Sequence, residues 1–96
     1  MAANVFSSGD SPYHAWLNSN PTGKVVNSRR RCDPTYMVLH KATCRSITAP
    51  ISTMGPEPFT GRGYIKICST DESELLTWIR QNGGTGFSNR CRICRP

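Results

Sequence analysis

The chain closes on Arg-Cys-Arg-Ile-Cys-Arg-Pro, residues 90–96. A Cys-x2-Cys pair is half of a tetrahedral metal site, because the tight turn lets both thiolates face one ion. The fold must therefore carry a second pair of ligands to this end of the chain. His-Lys-Ala-Thr-Cys, residues 40–44, is the best source. A turn that begins where a strand ends brings His40 and Cys44 to one side. The set His40, Cys44, Cys91 and Cys94 joins three thiolates to one neutral imidazole, which suits zinc better than magnesium or calcium. Four protein ligands leave no open position, so the expected role is structural. Two further cysteines compete. Cys68 ends a strand and could replace His40, and Cys32 follows three arginines near a turn. Both are expected to be non-ligands.

The rest of the chain explains why it needs such a staple. It has 96 residues, of which 36% are hydrophobic, with seven prolines and eight glycines. A single domain of this size buries a modest share of its surface and often relies on a metal or on disulfides. Five cysteines argue against a complete disulfide framework. The start, Met-Ala-Ala-Asn-Val-Phe-Ser-Ser, lacks the basic and apolar regions of a secretory signal. No run approaches the ~20 apolar residues of a transmembrane helix. The expectation is a cytoplasmic protein with reduced thiols and no membrane partner.

Residues 1–10 are expected to be loose, and 11–96 to form one domain. Ser11 as cap, Pro12 in the first turn, and Tyr13, Trp16 and Leu17 on one face predict a short helix ending at Asn20-Pro21. Segments 23–27, 36–40 and 64–68 read as three strands, the first two forming a hairpin with a basic tip at 28–35. Segment 46–63 holds three prolines and three glycines and reads as a long surface loop. Residues 69–84 give the clearest helix. Ser69 and Glu72 suggest a capping box, Leu75, Leu76, Trp78 and Ile79 make the buried stripe, and Asn82-Gly83 ends it. The predicted class is α+β: a short three-stranded sheet, two helices and a long Pro/Gly loop.

Net charge is +6. The ion's two charges against three thiolates remove only one unit of it. Lys41, Arg45, Arg90, Arg92 and Arg95 each lie within one residue of a proposed ligand, and no acidic residue does. Arg29, Arg30 and Arg31 form a second cluster at the hairpin tip. This exceeds what a thiolate site needs for local neutralisation and suggests phosphate contacts. Tyr36, Tyr64 and Phe87 are candidates for base stacking. The acidic start of the second helix, Asp71, Glu72 and Glu74, would repel a polyanion.

The pieces HKATC, YIKICSTDESELL and GFSNRCRICRP resemble the zinc-binding domain of the bacterial Ada methylphosphotriester repair proteins, over about residues 36–96. The resemblance implies a zinc site, a bacterial source and a DNA partner. It also implies that the first 35 residues are an addition. There are departures. The segment from Cys44 to Cys91 is longer than in that family, and Ser88 and Asn89 separate Gly86-Phe87 from Arg90. His40 occupies the position where Ada domains carry the methyl-accepting cysteine. A coordinated imidazole has given its lone pair to the metal and cannot accept a methyl group, so the repair reaction is not expected here unless Cys68 coordinates in its place.

No carboxylate pair, Ser/His/Asp set or phosphate-binding glycine loop is present, so no enzymatic activity is expected. Cys32 beside Arg29–Arg31, or Cys68, is the nearest approach to an activated thiol. The expected function is a zinc-stabilised nucleic-acid-binding module, with DNA favoured over RNA. The alternative is an interaction module that regulates a partner enzyme.

Overall fold

The computed structural model describes residues 3–48, 60 and 63–96. Its elements run β1 (Asn4–Phe6), α1 (Asp10–Ser19), β2 (Lys24–Arg29), β3 (Met37–Lys41), a single 3-10 turn at Arg45–Ile47, β4 (Tyr64–Ser69), α2 (Glu72–Gln81) and β5 (Asn89–Arg90). The three expected strands form the centre of a five-stranded sheet of order β1-β4-β2-β3-β5. The expected hairpin is there, with Lys24 opposite Lys41 and Ser28 opposite Met37.

Two short edge strands extend the expected sheet. Residues 4–6, expected to be loose, pair antiparallel with β4. At the other edge β5 runs parallel to β3, setting Val38 beside Asn89 and Leu39 beside Arg90. Most of the Pro/Gly loop expected over 46–63 lies outside the described residues. Its described start is the 3-10 turn, and Thr60 is buried, held by the Asp10 carboxylate through its amide and hydroxyl.

The sheet is covered on both faces. Val25 and Val26 are adjacent on β2, point to opposite sides, and are both fully buried. One core joins Val25 and Cys68 to Tyr13 and Leu17 of α1, with Ala42, Cys44 and Ile47. The other joins Val26, Met37, Leu39, Ile65 and Ile67 to Leu75 and Ile79 of α2. This is a helix–sheet–helix arrangement in which each helix covers one sheet face.

Both helix starts differ from the sequence expectation. Asp71, not Ser69, caps α2, and its side chain accepts the Ser73 amide at 2.9 Å. Ser69 is still part of the β4 ladder, opposite Lys24, so its backbone cannot take the capping position. Its hydroxyl instead binds Glu74 and the Asp71 amide. Helix α1 begins at Asp10, two residues earlier than a Ser11 cap would allow, after Gly9, and has no side-chain cap. Helix α2 ends as expected. Gly83 adopts φ 92°, and the Gly84 amide reaches back to the Ile79 carbonyl, closing the last turn.

Candidate metal centre

His40 is the fourth residue of β3 and lies opposite Val25 on the face covered by α1. It is 6% exposed. The chain then folds back at once, with the Cys44 amide donating to the Lys41 carbonyl at 3.0 Å. This turn sets Cys44 beside His40, as the His-x3-Cys spacing suggests. The following 3-10 turn is anchored from above by the buried Tyr13 hydroxyl, which donates to the Ile47 carbonyl at 2.8 Å.

The other two ligands arrive through β5. Because β5 is parallel to β3, it travels toward the same end of the sheet. Ser88 exchanges hydrogen bonds with Met37, and the Cys91 amide donates to the Leu39 carbonyl at 2.9 Å. Cys91 is thereby delivered next to His40. The knuckle then closes with the Arg95 amide bonded to the Cys91 carbonyl at 3.0 Å, with Arg95 at φ 49°.

The ligand atoms of His40, Cys44, Cys91 and Cys94 all lie within 4.8 Å of one another. The Sγ atoms of Cys44 and Cys91 are 3.8 Å apart. Two sulfurs each ~2.3 Å from a tetrahedral ion are separated by about 3.8 Å, so this edge already has the length a bound zinc requires. These four residues are close enough to hold a metal ion.

The surroundings fit that role. Burial, and then the nearby Lys66 charge, lower the His40 pKa to about 4, so the ring is neutral and able to donate a lone pair at neutral pH. The Ser46 hydroxyl sits between Cys44 Sγ at 3.0 Å and His40 Nδ1 at 3.3 Å and can orient both. The Lys41 amide points at Cys94 Sγ at 3.2 Å. For Cys91, burial works against ionisation, but the amides of Cys94 and Ile93 and the neighbouring thiols outweigh it and lower the pKa. Cys94 is pushed up to about 11, first by burial and then by the nearby sulfur of Cys44. Ser46 was not singled out from sequence, and its place two residues after Cys44 was the only signal.

The competing cysteines stay outside. Cys68 shares the α1-covered face with His40, but β2 lies between their strands, and Val25 separates them in register. It is fully buried, and burial raises its pKa far above the ordinary thiol value. Cys32 packs against the core on the opposite face.

All eight basic residues singled out are exposed. Their placement is less uniform than a single face would require. The tip cluster and the metal end lie at opposite ends of β2 and β3, about 17 Å apart along the strands. Arg29 lies over the rings of Tyr36 and Tyr64, at 5.0 and 5.6 Å. Arg30 donates to the carbonyls of Ser7 and Thr60. Arg90 pairs with Glu72 at 3.4 Å and covers Phe87. The three aromatic rings considered for base stacking thus already carry a guanidinium. Among the described residues, no carboxylate pairs with Arg31, Lys41, Arg45, Arg92 or Arg95.

No family model matches the chain, and no curated protein or solved structure matches it. Among the described residues, no helix is long and apolar enough to cross a membrane.

Proposed function

We propose that the chain is a zinc-stabilised, non-catalytic module that binds nucleic acid, DNA in preference to RNA, through the arginines around its metal centre. The observation that carries this reading is the ring of cations at the metal end. Lys41, Arg45, Arg92 and Arg95 are exposed, adjoin the ligands, and have no carboxylate partner among the described residues. Cations left unpaired on a rigid support are suited to phosphate oxygens.

Zinc is favoured over other ions by the donor set of three thiolates and one neutral imidazole. Its role is to hold β3, the 3-10 turn and β5 together. The motif resemblance to Ada domains supports DNA as the partner. His40 at the position of the reactive thiolate supports the absence of methyl transfer.

The test is fluorescence-anisotropy titration of zinc-loaded protein into short duplex DNA at several salt concentrations, beside a non-nucleic acidic polymer. The expected result is saturable binding whose log Kd changes with log salt by a slope of several, since each phosphate contact contributes about 0.9. Absence of binding at low salt, or equal binding to the polymer, would overturn the reading. Metal content is checked on the same sample, where one zinc per chain is expected.

A further inference from the structure

The most exposed large hydrophobic side chain among the described residues is Ile93, at 69%. It lies between Cys91 and Cys94, at the apex of the knuckle. Isolated exposed aliphatics are common, but this one has an unusual setting. Arg92 and Arg95 flank it without carboxylate partners. Together with Arg90, Cys91 and Pro96 they line an open cleft of about 390 Å³. The apex is also stiff. Cys91 is tied to Leu39 and Arg95 by backbone hydrogen bonds, Cys94 Sγ accepts from the Lys41 amide, and a β-branched side chain has few rotamers.

We propose that the Cys91–Cys94 knuckle enters the minor groove of duplex DNA, with Arg92 and Arg95 against the phosphates and Ile93 inserted as an apolar wedge at a base step. This rests on the nucleic-acid reading above and adds which element makes contact and what form of nucleic acid it takes. Proteins that bend DNA from the minor groove pair cations with such an apolar wedge, which partly unstacks a base step. Flexible pyrimidine–purine steps open most easily, so they are the preferred target.

The competing partners fit less well. A single strand is held by stacking on open aromatic faces. Phe87 carries Arg90, and Tyr36 and Tyr64 carry Arg29 at the other end of the sheet. A protein partner needs roughly 800 Å² on each side, with an apolar centre, and one isoleucine among arginines does not supply it. Glu72, at the start of α2, is held by Lys24 and Arg90 at 3.5 and 3.4 Å. Its charge is largely met by these two cations.

The test uses the full zinc-loaded chain and matched short duplexes that carry a fluorescent adenine analogue at a central TA step, with a G·C duplex, an RNA duplex and a single strand for comparison. Binding to the TA duplex is expected to raise the analogue's fluorescence. Ile93→Ser is expected to weaken that binding by about tenfold and abolish the fluorescence rise while leaving the salt slope unchanged, and Ile93→Leu to restore both. Arg92→Gln is expected to lower the salt slope by about one. Unchanged affinity and fluorescence in a folded Ile93→Ser protein would overturn the wedge and leave the nucleic-acid reading standing. Equal binding to RNA duplex or single strand would overturn the groove assignment. Failure of every nucleic acid to bind at low salt would overturn both readings together. The exposure of Ile93 makes misfolding of these variants unexpected, and an unchanged thermal melt checks it.

Discussion

At the scale of single residues, the fold contains two polar devices whose worth can be measured. Asp71 accepts the Ser73 amide and hydroxyl at the start of α2, and that hydrogen bonding lowers its pKa. Asp71→Ala is expected to lower the midpoint of thermal unfolding, as the loss of a helix cap does. Lys66 is the second. It lies on β4 at 3% exposure and donates to the Asn27 side chain at 2.9 Å, and burial lowers its pKa to about 8 against an ordinary 10.5. Between those two values the unfolded chain holds the proton and the folded chain does not, so stability rises with pH across that window. Wild type should therefore gain up to about 3 kcal/mol relative to Lys66→Met between pH 8 and 10.5. Paired melts of the two proteins remove the thiol titrations common to both, and a pH-independent difference would show that Lys66 is not desolvated.

At the scale of elements, β2, β3, β4 and α2 were legible because each has enough residues to display a period. Met37 and Leu39 on β3, and Ile65 and Ile67 on β4, repeat at the two-residue spacing of a strand, and Leu75 and Ile79 repeat at helical spacing. β1 and β5 were not legible, since strands of three and two residues carry no pattern and exist only because a longer neighbour offers free backbone groups. The ligand set was legible for a different reason. Cys-x2-Cys and His-x3-Cys are local constraints, and the chemistry of the four donors required them to meet. What the sequence did not show is that a short parallel strand, β5, makes the meeting. The cluster requires Cys91 and Cys94 but not Cys68. Cys91→Ser or Cys94→Ser, or a strong chelator, should abolish the cooperative melt, since structural zinc contributes on the order of 10 kcal/mol or more. Cys68→Ala should keep one metal per chain and lose only packing stability, about 1 kcal/mol for the small volume removed. Metal content by elemental analysis separates the two cases, and loss of metal from Cys68→Ala would place that residue in the site.

At the scale of the whole molecule, the charge is divided rather than spread. The register of β2 against β3 puts Arg29, Arg30 and Arg31 at one end of the hairpin and Lys41 at the other, with Arg45, Arg92 and Arg95 beside the ligands. A duplex approaching the metal end meets unpaired cations, whereas at the tip Arg29 is stacked on two tyrosines and Arg30 is bonded to two carbonyls. Stacked or bonded guanidiniums keep their charge, so the tip still attracts a polyanion at long range. They have fewer free donors for phosphate oxygens, and long-range attraction is screened beyond about 8–10 Å at ordinary ionic strength. The two ends should therefore respond differently to substitution. Arg92→Glu with Arg95→Glu is expected to weaken duplex binding strongly and lower the salt slope by about two, one for each lost phosphate contact. Arg31→Glu is expected to weaken binding only at low salt, where screening is poor, and to leave the slope nearly unchanged at physiological salt. Equal losses from both ends would mean that the duplex lies along the strands and spans both clusters, a geometry in which the knuckle is one anchor of two.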